Sequence, residues 1–523
     1  MDKHYDITSD TDIYQEWINN NNNNKNQSTF NLILPPPNVT GILHMGHALN
    51  VTIHDIIIRW KKMNGEEVCW IPGMDHAGIA TQNVVEKQLR LENKTRHQIG
   101  REQLIERIWK WKDQNSSIIL DQLKKVGCLC NWDQERFTMD DEYQLTVKQS
   151  FIKLYQAGLI YRDKKIINWC VRCEISLSDE EVIKTPTNGY LYHIKYSLEE
   201  GDCVIIATSR PETLFGDVAL ACNPNDLRYK NLIGRKVRVL IVNRLIPIIA
   251  ADEVDINFGT GLIKITPAHD ETDFIIGQRN KLEIIEIIDN KGNICNTTTE
   301  FDGMDRIKCR NKLITQLKCE SHLYHKTDHI CYRCNTNIEY KLSLQWFLKM
   351  QPLADLALNQ ISNINFYPSH YHKIYLHWLT NIKDWCISRQ IWWGYRIPIY
   401  YCQGCGNLKV DEKVPISCDY CQHTNFEQET DVLDTWFSSW LWPYTLKLES
   451  SFPLPLIISG ADILFFWIIR MIMAGLFFTG KLPFSNIYLH GIIRDQNNEK
   501  MSKSKGNVLN PIDIINKHGA DTL

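Results

Sequence analysis

Two short stretches near opposite ends of the chain carry the residue types that handle phosphate. His44-Met-Gly-His47 follows Pro35, Pro36, Pro37 and Asn38, and Lys500-Met-Ser502-Lys503-Ser504 lies close to the C-terminus. Imidazoles three positions apart share one face of a helix's first turn. Two lysines and a serine add cations and a hydroxyl, which is chemistry for a triphosphate. Alone, the first stretch reads as a surface or core histidine pair and the second as a solvated loop. Their co-occurrence and setting point to a nucleotide.

That setting is an alternation of strand and helix. Phe30-Asn-Leu-Ile-Leu34 reads as an apolar strand ended by the prolines, and Gly41 permits a tight turn. A helical pattern then runs from about Leu43 to Met63, closed by Asn64-Gly65, before a second apolar run, Val68-Cys-Trp-Ile71. In a parallel α/β sheet, ligands bind beyond the carboxyl ends of the strands, where a helix N-terminus offers free N–H groups. His44 and His47 fall at such a spot.

Cysteine spacing is a second signal. Scattering 17 cysteines over 523 positions would give about half a CxxC pair. The chain has Cys170/Cys173, Cys331/Cys334, Cys402/Cys405 and Cys418/Cys421. Without a secretory signal this spacing favours zinc thiolates over disulfides. The last two pairs read as a zinc ribbon near residues 400–423. The first two border one intervening segment, and a shared tetrahedral site would tie its entry to its exit. Reduced free thiols are the competing reading for both sets.

Between about Asn188 and Asp328 the pattern turns to short β-rich runs, such as Cys203–Thr208 and Lys236–Val242. Two polar clusters stand there: Thr208-Ser-Arg-Pro-Glu-Thr213, and a stretch containing Lys264, Thr266, Asp270 and Asp273. Threonines, a lysine and paired carboxylates at strand ends could hold a water and a charged amine, or could be ordinary turns.

Composition frames these motifs. A chain of 523 residues, 44% hydrophobic, can bury several cores. Residues Ile463–Phe478 are apolar but interrupted by Arg470 and Gly475, and read as a core helix rather than a membrane span. The N-terminal residues lack a signal-peptide layout, so a cytoplasmic protein without membrane contact is expected. A net charge of −3 means that a polyanionic partner would be held by local patches.

The chain resembles the valyl branch of the class I aminoacyl-tRNA synthetases along essentially its whole length. The resemblance rests on the two phosphate stretches, and on Pro35–Gly41, Gly73-Met-Asp-His-Ala-Gly-Ile-Ala-Thr-Gln82, Leu342–Phe347, Trp385–Tyr395, Asp434-Thr-Trp-Phe-Ser-Ser439 and Gly460–Trp467. Isoleucyl and leucyl relatives share the nucleotide signatures and the inserted domain. They differ around Gly73–Gln82.

This resemblance implies an α/β fold in which a Rossmann-like catalytic domain is split by a β-rich editing insertion and carries zinc-binding knuckles. The expected organisation is an N-terminal segment (1–27), a first catalytic half (28–165), a stalk (166–187), the editing domain (188–328), a returning stalk (329–345) and a second catalytic half (346–523). It implies a ligase that joins valine and ATP, with Mg2+, into valyl-adenylate and passes the valyl group to tRNA(Val). His44, His47, Lys500 and Lys503 would stabilise the phosphoryl centre, and Ser502 would join them at ATP. Asp75 would meet the substrate ammonium, while Pro36, Pro37, Asn38 and Trp436 would shape the side-chain pocket. An apolar pocket discriminates poorly against an isostere that merely adds a hydroxyl. Hydrolytic editing of threonyl-tRNA is therefore implied, at Thr208, Thr213, Lys264, Thr266, Asp270 and Asp273, with Asp273 on the misplaced amine. A monomer is expected, with zinc at the eight cysteines.

Three residues depart from the family pattern: Ser209 for threonine, Asn131 for aspartate, and Asn498 for the glycine before the lysine-rich stretch. Family members also continue beyond the equivalent of Leu523 into an anticodon-binding domain, which is expected to be absent here. An editing-only or tRNA-binding fragment without aminoacylation is therefore the alternative expectation.

Overall fold

A computed structural model describes residue 7 and residues 9–19, 30–499, 501 and 507–523. Lys500, Ser502 and Lys503 lie outside the described residues. The chain forms two compact units, residues 1–161 with 347–523, and Arg162–Trp346.

In the first unit, Phe30–Ile33 is buried at every position, the pattern of a strand covered on both faces. It pairs in parallel with Val68–Ile71, and the helix Met45–Met63 makes the crossover between them. Asn486–His490 lies parallel between Ile457–Gly460 and Asn365–Tyr367. Parallel strands joined through helices give the α/β character expected. The crossover helix buries Ala48, Val51, Asp55 and Ile58, a face of three- and four-residue spacing. His44 is its N-cap, so it begins two residues later than the apolar pattern suggested.

The apolar segment Ala461–Thr479 is long and apolar enough by composition to cross a membrane, and most of it is buried inside the protein. It is not one regular helix. A 3-10 turn (Ala461–Ile463) leads into a π-helical stretch (Leu464–Ile469) and then an α-helix (Arg470–Thr479). Buried Arg470 sets its guanidinium 3.8 Å from the centroid of the Trp385 ring, an arrangement that returns attraction to a charge removed from water.

The second unit is built on a seven-stranded sheet. The order is Leu262–Ile265, Ala219–Cys222, Leu245–Ala250, Lys236–Arg238, Val182–Leu198 and Glu320–Cys331, with Cys203–Thr208 also paired to Val182–Leu198. Ala219–Cys222 shows why both faces are covered. Leu220 and Cys222 enter one hydrophobic core while Ala219 and Ala221 enter another, the two-residue alternation of a strand. The expected strand Lys236–Val242 stops at Arg238. Ile241 and Asn243 take left-handed φ of 69° and 55°, and the Val239 N–H bonds the Arg244 carbonyl to close a turn.

Candidate active site

The two histidines cap the crossover helix reciprocally. His44 Nδ1 accepts the Gly46 N–H at 3.1 Å, His47 Nδ1 accepts the His44 N–H at 3.1 Å, and the ring centroids lie 3.7 Å apart. With each Nδ1 engaged by a backbone N–H, Nε2 is the ring position from which either imidazole would donate. Further along this helix, Asn50 Nδ2 lies 3.0 Å from His490 Nε2 and 3.5 Å from the Ile458 carbonyl, at the ends of two parallel strands.

Pro37, Asn38 and Asp75 are joined through the backbone. The Asp75 N–H donates to the Pro37 carbonyl at 3.0 Å, and the Val39 N–H to the Asp75 carbonyl at 3.1 Å. Pro36 is half-buried, Pro37 buried and Asn38 exposed. The Asp75 side chain is 5% exposed. Its Oδ1 accepts the Ala77 N–H at 2.6 Å and its Oδ2 the Ser439 hydroxyl. Burial pushes its carboxyl up to about 6, against the lowering by Ser439 and Ala77.

Trp436 stands on the same short helix as Ser439, Thr435–Ser439, and stacks on Phe466 at 5.2 Å. Gly78 lets this helix approach, since a Cβ there would lie 2.1 Å from Thr435 Oγ1. Asp434 fixes the helix start: Oδ1 accepts the Trp436 N–H at 3.2 Å, and Oδ2 accepts from fully buried Arg389 at 2.7 Å and from Trp385 Nε1 at 2.9 Å. Trp467, expected mainly as core, is 2% exposed and donates to the Ser439 carbonyl at 3.0 Å. Pro37, Asn38, Asp75 and Trp436 are thus linked, with Ser439 and Asp434 as connecting residues that no spacing rule marks.

In the second unit, Lys264 and Thr266 converge on Asp217, which sequence reasoning missed, and Asp273 joins them through the Thr266 backbone. Asp217 Oδ1 accepts from Lys264 Nζ at 2.9 Å and from the Thr266 hydroxyl at 2.8 Å, and Oδ2 accepts from Tyr196 at 2.6 Å. Lys264 also donates to Thr266 Oγ1 at 2.5 Å, and Asp273 Oδ2 accepts the Thr266 N–H at 2.8 Å. Burial, then the Asp270 charge, push the Asp273 carboxyl up to about 7 despite Lys264. Asp270 caps the helix Glu271–Arg279 by accepting the Thr272 and Asp273 N–H groups.

Thr208 and Thr213 meet at Arg210: Thr208 Oγ1 accepts the Arg210 N–H and Thr213 Oγ1 donates to its carbonyl, each at 3.0 Å. Arg210 links the two clusters by donating to the His269 carbonyl at 3.0 Å. It pairs with Glu212 and Glu339, and Arg310 grips Glu212 with two bonds of 2.7 Å. Burial raises the Glu212 carboxyl, but the two arginines outweigh it and hold it near about 2.

Both cysteine sets close. The sulfurs of Cys170, Cys173, Cys331 and Cys334 lie within 4.8 Å of one another, as do those of Cys402, Cys405, Cys418 and Cys421. Contacts of 3.4 Å (Cys170 to Cys334), 3.5 Å (Cys402 to Cys421) and 3.6 Å (Cys405 to Cys418) are close to the roughly 3.8 Å edge of a tetrahedron with Zn–S bonds of about 2.3 Å. The donor sets therefore fit zinc.

The family model for tRNA synthetases class I (I, L, M and V) matches residues 3–523. The valine–tRNA ligase of Geobacter sulfurreducens is 48% identical over 95% of this chain and 58% of that protein. That of Syntrophotalea carbinolica is 46% identical over 98% of this chain and 59% of its own length. The chain thus spans less than two thirds of these relatives. A LeuRS of Agrobacterium radiobacter, solved as a ternary complex with tRNA and LeuAMS, shares the fold at a TM-score of 0.54 and 19% identity, over 99% of this chain and 72% of that one. The chain belongs to the class I tRNA synthetases of the I, L, M and V group.

Proposed function

We propose that this protein performs the chemistry of a valine–tRNA ligase. It would activate valine with ATP to valyl-adenylate, releasing pyrophosphate, and transfer the valyl group to tRNA(Val). The observation that carries this reading is the buried carboxylate of Asp75, held beside Pro37 and Asn38 and bonded to the helix that bears Trp436. A buried carboxylate between Pro37, Asn38 and the helix of Trp436 suits a zwitterionic amino acid with a small branched side chain. His44 and His47 would donate Nε2–H groups to the ATP phosphates, and Lys500 and Lys503, with Ser502, would add charge and a hydroxyl. Mg2+ would accompany the ATP. Positioning and electrostatic stabilisation supply most of the rate at such a phosphoryl centre. The 46–48% identity to valine–tRNA ligases supports valine over its larger relatives.

Editing of threonyl-tRNA(Val) is proposed for the second unit. Asp273 would take the amino group, and Thr208, Thr213, Lys264, Thr266 and Asp270 would order the attacking water. Zinc at the two cysteine sets would be structural, and a cytoplasmic monomer is part of the same reading. The test is valine-dependent ATP–pyrophosphate exchange by the purified chain, with isoleucine and threonine as comparisons. Absence of exchange would overturn the ligase reading. Deacylation of threonyl-tRNA without exchange would leave the editing-only alternative.

A further inference from the structure

Asp75 and Trp436 are far apart in sequence, and one hydroxyl joins their neighbourhoods. Ser439 donates from the last position of Thr435–Ser439 to Asp75 Oδ2, across 364 residues of sequence. Its Oγ is also 3.1 Å from the Thr435 carbonyl, but the charged carboxylate is the nearer and stronger acceptor. The Ser439 carbonyl is itself held by Trp467 Nε1, and the helix start is held by Asp434, Arg389 and Trp385. Ser439 is 2% exposed, so no water can take its place cheaply.

We propose that Ser439 is a positioning residue for the amino acid: its hydroxyl orients Asp75, making ammonium recognition and the Trp436 wall parts of one rigid piece. This rests on the valine-activation reading. A carboxylate has about four lone-pair directions. The Ala77 N–H and the Ser439 O–H each take one, on different oxygens, and leave each oxygen a further lone pair for an ammonium.

The other ionisable groups facing Asp75 do not duplicate this service. His76 Nδ1 is 3.5 Å away, but the ring is fully buried, bonded to Thr138 Oγ1, and kept neutral by a pKa lowered to about 3. Asp434 repels the Asp75 charge, and the buried phenols of Tyr143 and Tyr395 remain protonated beside it. Among the described residues, the Ser439 hydroxyl and the Ala77 amide lower the Asp75 pKa and so favour the carboxylate over the acid.

The experiment compares wild type, Ser439→Ala and Ser439→Thr in valine-dependent exchange between pH 5.5 and 8. Ser439→Ala is expected to raise the KM for valine roughly tenfold or more, as for a lost hydrogen bond to a charge, with the KM for ATP within about twofold. Because loss of this donor raises the Asp75 pKa, the acidic limb of valine binding moves to higher pH. Ser439→Thr keeps the hydroxyl and is expected to recover both. Should Ser439→Thr unfold at a lower temperature than Ser439→Ala, Ser439→Cys replaces it, with partial recovery expected. An unchanged acidic limb in Ser439→Ala, or equal losses for valine and ATP, would overturn the inference. Lack of exchange by wild type would instead remove the function it rests on.

Discussion

His44 and His47 cap the same helix turn through one another, each Nδ1 accepting a backbone N–H while the rings lie 3.7 Å apart. The caps and the proposed phosphate donors are therefore the same two side chains, and the two roles can be separated. Asparagine is a good N-cap but has no donor at the Nε2 position. His44→Asn is expected to leave thermal stability near wild type and to slow exchange by roughly 10²-fold, the usual loss for one aimed donor. His44→Ala should show the same loss of rate and, in addition, about 1 kcal/mol of destabilisation. Wild-type exchange in His44→Asn would take this imidazole out of the phosphate site.

Zinc content tests the cysteine sets. The intact chain should bind two zinc ions by elemental analysis, and Cys331→Ser or Cys418→Ser should each remove one. A stoichiometry that stays at two in either variant would reassign those thiols. Metal-binding energy at such sites is folding energy, so each loss should also lower the unfolding temperature.

What could be read in the sequence was what depends on neighbours along the chain. Phe30–Ile33 and Val68–Ile71 declared themselves by mostly apolar character, and the cysteine knuckles by their spacing. The residue Asn498, expected from the family pattern to be glycine, has a left-handed φ of 60°, and asparagine is among the few side chains that tolerate it. The Asn131 Oδ1 accepts the Trp70 N–H at 2.8 Å, a role that aspartate could fill equally, so nothing in the structure explains this departure. Asp217 and Ser439 were invisible because their meaning is tertiary. Asp217 meets Lys264 across 47 residues, and Ser439 meets Asp75 across 364. The reciprocal capping by the two histidines was equally hidden, because it follows from hydrogen-bond directions rather than from residue type.

Asp217 makes a strong prediction because it is fully buried and is the carboxylate bonded to buried Lys264. Replacing one member of a buried pair strands the other charge, at a cost of about 3–5 kcal/mol. Asp217→Asn is nearly isosteric, so cavity formation does not contribute. It should lower the unfolding temperature of the second unit by roughly 10 °C, given about 2–4 °C per kcal/mol for a unit of this size. Deacylation of threonyl-tRNA should weaken with it, while valine activation should be unaffected. A shift of less than about 2 °C would mean that Lys264 finds another anion.

The last prediction uses the Asp273 carboxyl, pushed up to about 7 by burial and by Asp270. Only its ionised form can hold an ammonium group, so the sign is fixed. Deacylation of threonyl-tRNA should be close to maximal at pH 8 and fall as pH drops through about 7, because the acid form accumulates. Binding of the cationic amine stabilises the carboxylate, so the limb seen at saturating substrate should lie below the limb seen at low substrate. Asp273→Ala should abolish the limb and let threonyl-tRNA persist, leaving valine-dependent exchange intact. Measured from pH 5.5 to 8.5 on preformed threonyl-tRNA, a flat profile in wild type, or unaltered clearance by Asp273→Ala, would remove the amine-binding role from this residue.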